Sequence, residues 1–239
     1  MATLVIRLAG PMQAWGISSK FTERKTELQP SKSGVLGLIA AALGRRRVDP
    51  IEDLLPLKFA VRLDQPGVLL KDFQTASREE SKPPISISNR YYLADAIFIA
   101  AIEGENQLIQ SVASALEAPT FPLYLGRRSC PPTLPLTIAY SDADLIEVIA
   151  TTPWAASQKF RRQYKDHETF SAEVVRDAFP GEEIARFMRD VPESFNPEKR
   201  LYGFRAVNRY FVDLLNPDYQ YTIDSQNFFD HDPMEVIEN

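Results

Sequence analysis

The 239-residue chain has one cysteine, two histidines and no apolar run near the roughly 20 residues of a membrane span. Each scarcity excludes a class of function. A lone thiol, Cys130, forms no internal disulfide and supplies no thiolate cluster for zinc or iron–sulfur. It stands in Ser129-Cys130-Pro131-Pro132 without a histidine or helix N-terminus to depress its pKa, so an inert thiol is expected. His167 and His231 lie in polar stretches with no second histidine at metal-ligand spacing, and both read as solvated surface residues. No Gly-x-Ser-x-Gly, His-Glu-x-x-His or calcium-loop pattern is present. Asp142 and Asp144 are too close in sequence to build a two-metal site without distant partners. The expectation is no catalytic residue, no metal and no cofactor. Arg7 interrupts the first apolar run and no small-residue cleavage site follows, so no secretory leader is expected. The compartment reads as a reducing cytoplasm, without a membrane.

With 44% hydrophobic and 25% charged residues, the composition is that of a globular protein with ample material for a core. The net charge of −5 hides an asymmetry. Residues 1–50 carry eight Lys/Arg against three acids, a local excess of +5, while after Arg209 seven acids follow with no basic residue. An anionic partner responds to local potential, so the acidic total does not exclude one. The plain alternative is an ordinary polar surface with an acidic tail.

Along the chain, Thr3 to Leu8 predicts a strand ending at Gly10-Pro11, and Met12 to Pro30 has no sustained period and predicts a long loop. A helix is predicted from about Ser33, as N-cap, to Leu43, with Gly44 as its stop. Leu57–Leu63 and Val68–Phe73 flank Gln65-Pro66-Gly67 and predict a β-hairpin. Thr75 to Asn89 reads as a polar excursion from the core. Tyr91–Ile102 predicts one strand, Asn106–Glu117 a helix, and Leu123–Leu125 a short final strand. Further on, Thr137–Tyr140, Leu145–Thr151 and Tyr202–Leu214 predict strands and Phe170–Phe179 a helix. The order strand, helix, strands, helix, strand matches the split βαβ plan of ferredoxin-like domains, shared by RNA-recognition modules.

Three segments suit an anion. Pro30-Ser31-Lys32-Ser33-Gly34 opens a helix with Lys-Ser, though Ser31 and Glu27 stand where a nucleotide-binding loop needs glycines, which excludes an ATPase. The remaining reading is an anion site of unpaired helical N–H groups plus Lys32, against a plain helix cap with an exposed lysine. Gly126-Arg127-Arg128 offers close backbone approach and bidentate phosphate contacts, or is a solvated corner. Arg45-Arg46-Arg47 follows a helix C-terminus, where cations also complement the dipole. Trp15 is either a stacking platform for a base or an anchor for its loop.

Five separated segments together resemble one family. They are Leu8-Ala9-Gly10-Pro11-Met12-Gln13-Ala14-Trp15-Gly16, the Pro30-to-Arg45 stretch, Val61-Arg62-Leu63-Asp64-Gln65-Pro66-Gly67, Arg90-Tyr91-Tyr92-Leu93-Ala94-Asp95-Ala96-Ile97-Phe98, and Phe121-Pro122-Leu123-Tyr124-Leu125-Gly126-Arg127-Arg128-Ser129-Cys130-Pro131-Pro132. In this order they resemble the CasD family, the RAMP-type subunits of type I-E CRISPR surveillance complexes (Cascade), over roughly residues 3–140. The resemblance implies an α+β fold: a ferredoxin-like, RRM-like core in residues 1–145, a projecting β-hairpin thumb at about 72–90, and a smaller, mostly β C-terminal extension with an acidic tail in 146–239. It also implies a non-catalytic role: holding the five-prime handle of the crRNA, capping the CasC backbone, helping to seat the large subunit CasA, and meeting foreign DNA through the complex. Gln13, Trp15, Lys20, Phe21 and Arg24 of the first loop would lie near the handle, with Ser31, Lys32 and Ser33 at the helix start. Arg45, Arg46, Arg90 and the turn Gly126, Arg127 and Arg128 complete the candidate RNA-binding set. The alternative is a metal-independent endoribonuclease for precursor CRISPR RNA, whose acid and base would have to be a tyrosine (Tyr91, Tyr92 or Tyr124) and Lys32.

Overall fold

Alternation of apolar residues along the first strand sets the layering. The computed structural model describes residues 1–16, 23–76 and 86–220. In chain order its elements are β1 (Ala2–Ala9), β2 (Met12–Gln13), β3 (Glu23–Arg24), α1 (Lys32–Ala42), β4 (Lys58–Gln65), β5 (Val68–Ala76), β6 (Ser86–Ala94), β7 (Ile97–Gly104), α2 (Asn106–Glu117), β8 (Thr137–Ser141), α3 (Leu145–Thr151), α4 (Gln158–Arg161), a 3-10 turn (Arg162–Tyr164), β9 (Thr169–Asp177), β10 (Arg186–Ser194) and β11 (Leu201–Leu215). Leu4, Ile6 and Leu8 of β1 face one side of a sheet and pack under α1 and α2, together with Phe59, Phe98 and Ile102. Val5 faces the other side and joins Ala60, Ile99 and Val174 beneath α3. The result is a mixed α+β architecture dominated by sheet.

That sheet has seven strands in the order β10-β11-β9-β4-β7-β1-β8, every neighbouring pair antiparallel. The strands after residue 146 therefore extend the sheet begun by β1, through the β4–β9 pair. A second sheet has the order β2-β6-β3, with β5 also paired to β6. Helix α1 is capped at both ends. Ser31 Oγ accepts the Gly34 N–H, and Gly44 (φ +78°) lets the Gly44 and Arg45 N–H groups reach the Ala41 and Ala40 carbonyls. The expected cap at Ser33 is corrected to Ser31, whose extended backbone starts the helix two residues earlier.

Several expected elements differ. Pro66-Gly67 does not close a hairpin, because β4 and β5 belong to different sheets; Gly67 (φ +71°) turns the chain between them. The hairpin is β5 with β6, registered from Val68 opposite Ala94 to Ala76 opposite Ser86, so both ends of the expected polar excursion (75–76 and 86–89) are strand, and residues 77–85 lie outside the described residues. The run Tyr91–Ile102 is broken at Asp95 (φ +56°), which redirects β6 into β7. Leu123–Leu125 is not a strand. Leu125 is tied instead to Cys130 and Ala14, and the edge beside β1 belongs to β8. Leu145–Thr151 is helix, because Asp144 caps the Glu147 N–H and Leu145, Val148 and Ile149 share one buried face. Phe170–Phe179 is mostly strand β9, held on both edges by β4 and β11. Tertiary pairing overrides a local pattern too short to choose between periods.

One buried ion pair closes the α3 side. Arg62 is fully buried and donates to both Asp64 carboxylate oxygens, to the Ile149 and Thr152 carbonyls at the end of α3, and to Pro153 O. Asp64 also accepts the Ala155 N–H. Removing one member strands the other in apolar surroundings. Asp64→Ala is expected to cost about 3–5 kcal/mol, measured by urea unfolding; a loss below about 1 kcal/mol would contradict this role.

Candidate nucleic-acid interface

The floor of the site is the glycine face of α1. Gly34 and Gly37 lie three residues apart, and a Cβ at Gly34 would come 2.7 Å from the Trp15 ring, while the Phe195 ring lies 3.5 Å from the position of a Cβ at Gly37. Trp15 is buried at 1% exposure and its indole N–H donates to Gln13 Oε1. The Gln13 amide in turn donates to the carbonyls of Leu8 and Ala96. Of the two readings of Trp15, the anchor is the one the structure shows; the ring has no free face for a base. Gln13 is likewise saturated by protein partners.

Lys32 also departs from expectation. Its ammonium lies 2.9 Å from Asp177 Oδ2 and its backbone N–H donates to Asp190 Oδ2. Arg205 joins both carboxylates, through Nε and Nη2 to Asp190 and Nη1 to Asp177. The helix start thus already holds an anion, the buried side chain of Asp190, and Lys32 is a structural cation rather than an exposed phosphate contact. Ser31 and Ser33 are buried with their hydroxyl oxygens 3.3 Å apart, and both line the cavity above.

That cavity, about 590 Å³, is bordered by Arg45, Arg46, Arg47, Arg128 and Arg200, with the rings of Phe121, Tyr124, Phe195 and Tyr202 among its walls. A second cavity of about 470 Å³ shares Arg47, Gly126, Arg128 and Arg200 with it and continues to Arg24, Arg90 and Arg127. Eight arginines therefore edge one continuous trough, and no Asp, Glu or His is among its described lining residues. Guanidinium forks, aromatic faces and hydroxyls suit phosphates, bases and ribose hydroxyls.

These arginines are not equivalent. Arg45 forks onto Asp53 and Arg46 pairs with Asp49, and each guanidinium holds its carboxyl partner below the usual carboxylate range. Arg127 donates to the carbonyls of Tyr91, Arg24 and Lys25 and lies 4.8 Å from the Tyr92 ring centre. It clamps residues 24–25 to β6. Arg24, Arg47, Arg128 and Arg200 are exposed, and their side chains make no hydrogen bond or ion pair among the described residues. Arg90 is half-buried, with its Nε unpartnered. Lys20 and Phe21 lie outside the described residues. Burial pushes the Cys130 thiol pKa up.

Arg47 was visible as the third member of an arginine run. Arg200 and Tyr202 carried no local signal; the turn between β10 and β11 delivers them to the trough. Phe121 and Phe195 read in sequence only as hydrophobic residues.

Residues 3–208 match the family described as CRISPR-associated protein (Cas_Cas5). The chain belongs to this Cas5 family. It is 37% identical over 161 residues to the CRISPR system Cascade subunit CasD of Escherichia coli (strain K12), covering 59% of this chain and 71% of that protein. It superposes with a TM-score of 0.75 on a chain of a CRISPR RNA-guided surveillance complex, at 32% identity and covering 93% of this chain and 95% of that one. A crystal structure of a Cas protein matches with a TM-score of 0.65 at 35% identity, covering 92% and 98%. The likeness to CasD read from five motifs is thereby borne out.

In this Cas5 chain the Arg128 turn is set by one glycine. Gly126 has φ +85°, and a Cβ there would lie 1.8 Å from the Ala14 carbonyl oxygen. Gly126→Ala is expected to lose about 1–3 kcal/mol from backbone strain alone, with more from the clash. Thermal unfolding measures it, and an unchanged Tm would show that the turn is not so constrained.

Proposed function

We propose that this Cas5 chain is a non-catalytic RNA-binding subunit of a Cascade-type surveillance complex, and that its arginine trough holds the five-prime handle of the crRNA. One observation carries the reading: eight arginines border a single trough free of described carboxylates, and four of them are exposed without a side-chain partner among the described residues. Such a surface neutralises backbone phosphates, while Tyr124 and Tyr202 offer planes to unstacked bases. The names of the relatives, a Cascade subunit and an RNA-guided complex, favour the same assignment. The four strands β8-β1-β7-β4 with α1 and α2 read as the ferredoxin-like core, and the β5–β6 hairpin reads as the thumb. On this reading the partners are crRNA, the CasC backbone, the CasA large subunit and, through the assembled complex, foreign DNA. Target sequence is read by guide pairing, not by this subunit.

The test is salt-dependent binding of handle RNA. Arg47→Ala, Arg128→Ala and Arg200→Ala should each weaken binding and lower the log–log salt slope by about 0.7 per lost single-strand contact. Arg45→Ala and Arg46→Ala should change it less, because carboxylates already neutralise those side chains. Unchanged slopes in all three exposed-arginine variants would remove the trough from the RNA site. Labelled repeat RNA incubated with the protein in EDTA is expected to stay intact; a discrete cut would replace the non-catalytic reading with the endoribonuclease one.

A further inference from the structure

One end of the trough is carried by a strand too short to hold itself. Strand β3 is two residues long and pairs in parallel with β6, Glu23 opposite Asn89 and Arg24 opposite Arg90. Two residues of parallel ladder are a marginal attachment. Glu23, Arg24 and Lys25 are all exposed, so this segment buries no apolar side chain. The register also sets two guanidinium side chains directly across from one another, an arrangement that repels. The nearby acids do not relieve it. Glu23 pairs with Lys25 at 3.7 Å, and Asp72, opposite Arg90 on the other edge of β6, accepts the Gln74 amide instead.

Arg127 supplies the missing attachment. Its Nη2 donates to the carbonyls of Arg24 at 2.6 Å and Lys25 at 3.2 Å, and its Nη1 to the carbonyl of Tyr91, the residue after Arg90, at 3.0 Å. One guanidinium thus bridges the backbones of both strands at the level of the Arg24–Arg90 pair. Its charge also rests on the Tyr92 ring, whose centre is 4.8 Å away. The turn that carries it is anchored in turn, by Cys130 N–H to Arg127 O, Leu125 N–H to Cys130 O and Ala14 N–H to Leu125 O. Strand β6 is secured separately, by its pairing with β5 from Val68 to Ala76. The member of the pair that depends on Arg127 is therefore β3. Arg24 and Arg90 keep their own donors: Arg24 is exposed with no side-chain partner among the described residues, and Arg90 Nε is buried and unpartnered. Both border the same cavity as Arg127 and Arg128.

We infer that Arg127 is a positioning residue of the RNA site: it holds Arg24 beside Arg90 as one two-guanidinium grip for a backbone phosphate, and does not itself contact the RNA. The inference rests on the handle-binding reading of the trough. A phosphate seated between two guanidinium forks takes charge-assisted hydrogen bonds from both and offsets the repulsion that the β3–β6 register imposes. Arg127 acts through geometry instead of charge. Its donors go to carbonyls on two strands and its flat face to a ring, a combination that an ammonium, a compact point charge, does not reproduce. Arg128, the next residue, is exposed and makes no such contacts, so there a lysine keeps what matters, the charge.

The experiment is a double-mutant cycle on the salt dependence of handle-RNA binding by the full chain. Arg24→Ala and Arg127→Ala are each expected to lower the log–log slope by about 0.7, one single-strand contact, and R24A/R127A to lower it no further. A loss of about 1.4 in that double variant would make Arg127 a contact in its own right and overturn the inference. An unchanged slope in R127A would do the same. Arg127→Lys is expected to behave like Arg127→Ala, whereas Arg128→Lys retains its contact; a wild-type slope in R127K would sink the positioning role. R127A/R128A is expected to lose both contacts, and a vanished Arg128 contribution in the R127A background would make the effect a general loss of fold and overturn the inference too. Without RNA, hydrogen exchange of residues 23–27 should quicken in R127A and R127K while residues 87–94 stay at wild-type rates; unchanged exchange at 23–27 would show that Arg127 does not hold β3. Lowered slopes in R47A, R128A and R200A beside an additive Arg24–Arg127 cycle would defeat this inference alone and leave the handle-binding reading standing.

Discussion

A largely buried network of four charges joins the two halves of this protein. Lys32 at the start of α1, Asp177 on β9, Asp190 on β10 and Arg205 on β11 are linked by hydrogen-bonded ion pairs, and the Phe59 N–H of β4 donates to Asp177 as well. Charges taken from water are tolerated only when their partners are in place, so each member is a condition on the position of the others. The network seats the N-terminus of α1 on the C-terminal strands. That is why Phe195, Arg200 and Tyr202, from the β10–β11 hairpin, share a trough with Ser31 and Gly34.

The arginines divide into two populations by partner, not by sequence neighbourhood. Arg62, Arg127 and Arg205 spend their donors on carbonyls and carboxylates within the fold and act as girders. Arg47, Arg128 and Arg200 are left facing solvent. Adjacent residues fall on opposite sides of this division. Arg127 is a clamp and Arg128 is exposed with no partner among the described residues; the two follow the positive-φ turn at Gly126. A guanidinium is always charged, so availability for phosphate is decided by whether a carboxylate or carbonyl reached it first.

Much of the architecture was legible from residue patterns. The α1 and α2 helices, β1, and the long aromatic strand β11 follow directly from apolar periodicity and caps. Short segments misled. Leu145–Thr151 and Phe170–Phe179 exchanged types because seven to ten residues fit either period, although Asp144 three residues before Glu147 was a capping signal. Pro66-Gly67 read as a hairpin because a turn reveals a reversal but not which sheet receives the returning strand.

Residue patterns alone carried the family, the basic character of the N-terminal fifth, the scarcity of cysteine and histidine, and the Gly-Arg-Arg turn. These are properties of residue type and local spacing, which need no partner to be read. Tertiary contacts settled which cations keep no partner among the described residues. They buried Trp15 and Lys32, neutralised Arg45 and Arg46, and brought Arg200 from the C-terminal third beside Arg47 and Arg128. The physical reason is that a charged side chain is defined by its nearest counter-charge, and that counter-charge need not be a sequence neighbour: Asp177 lies more than a hundred residues from Lys32.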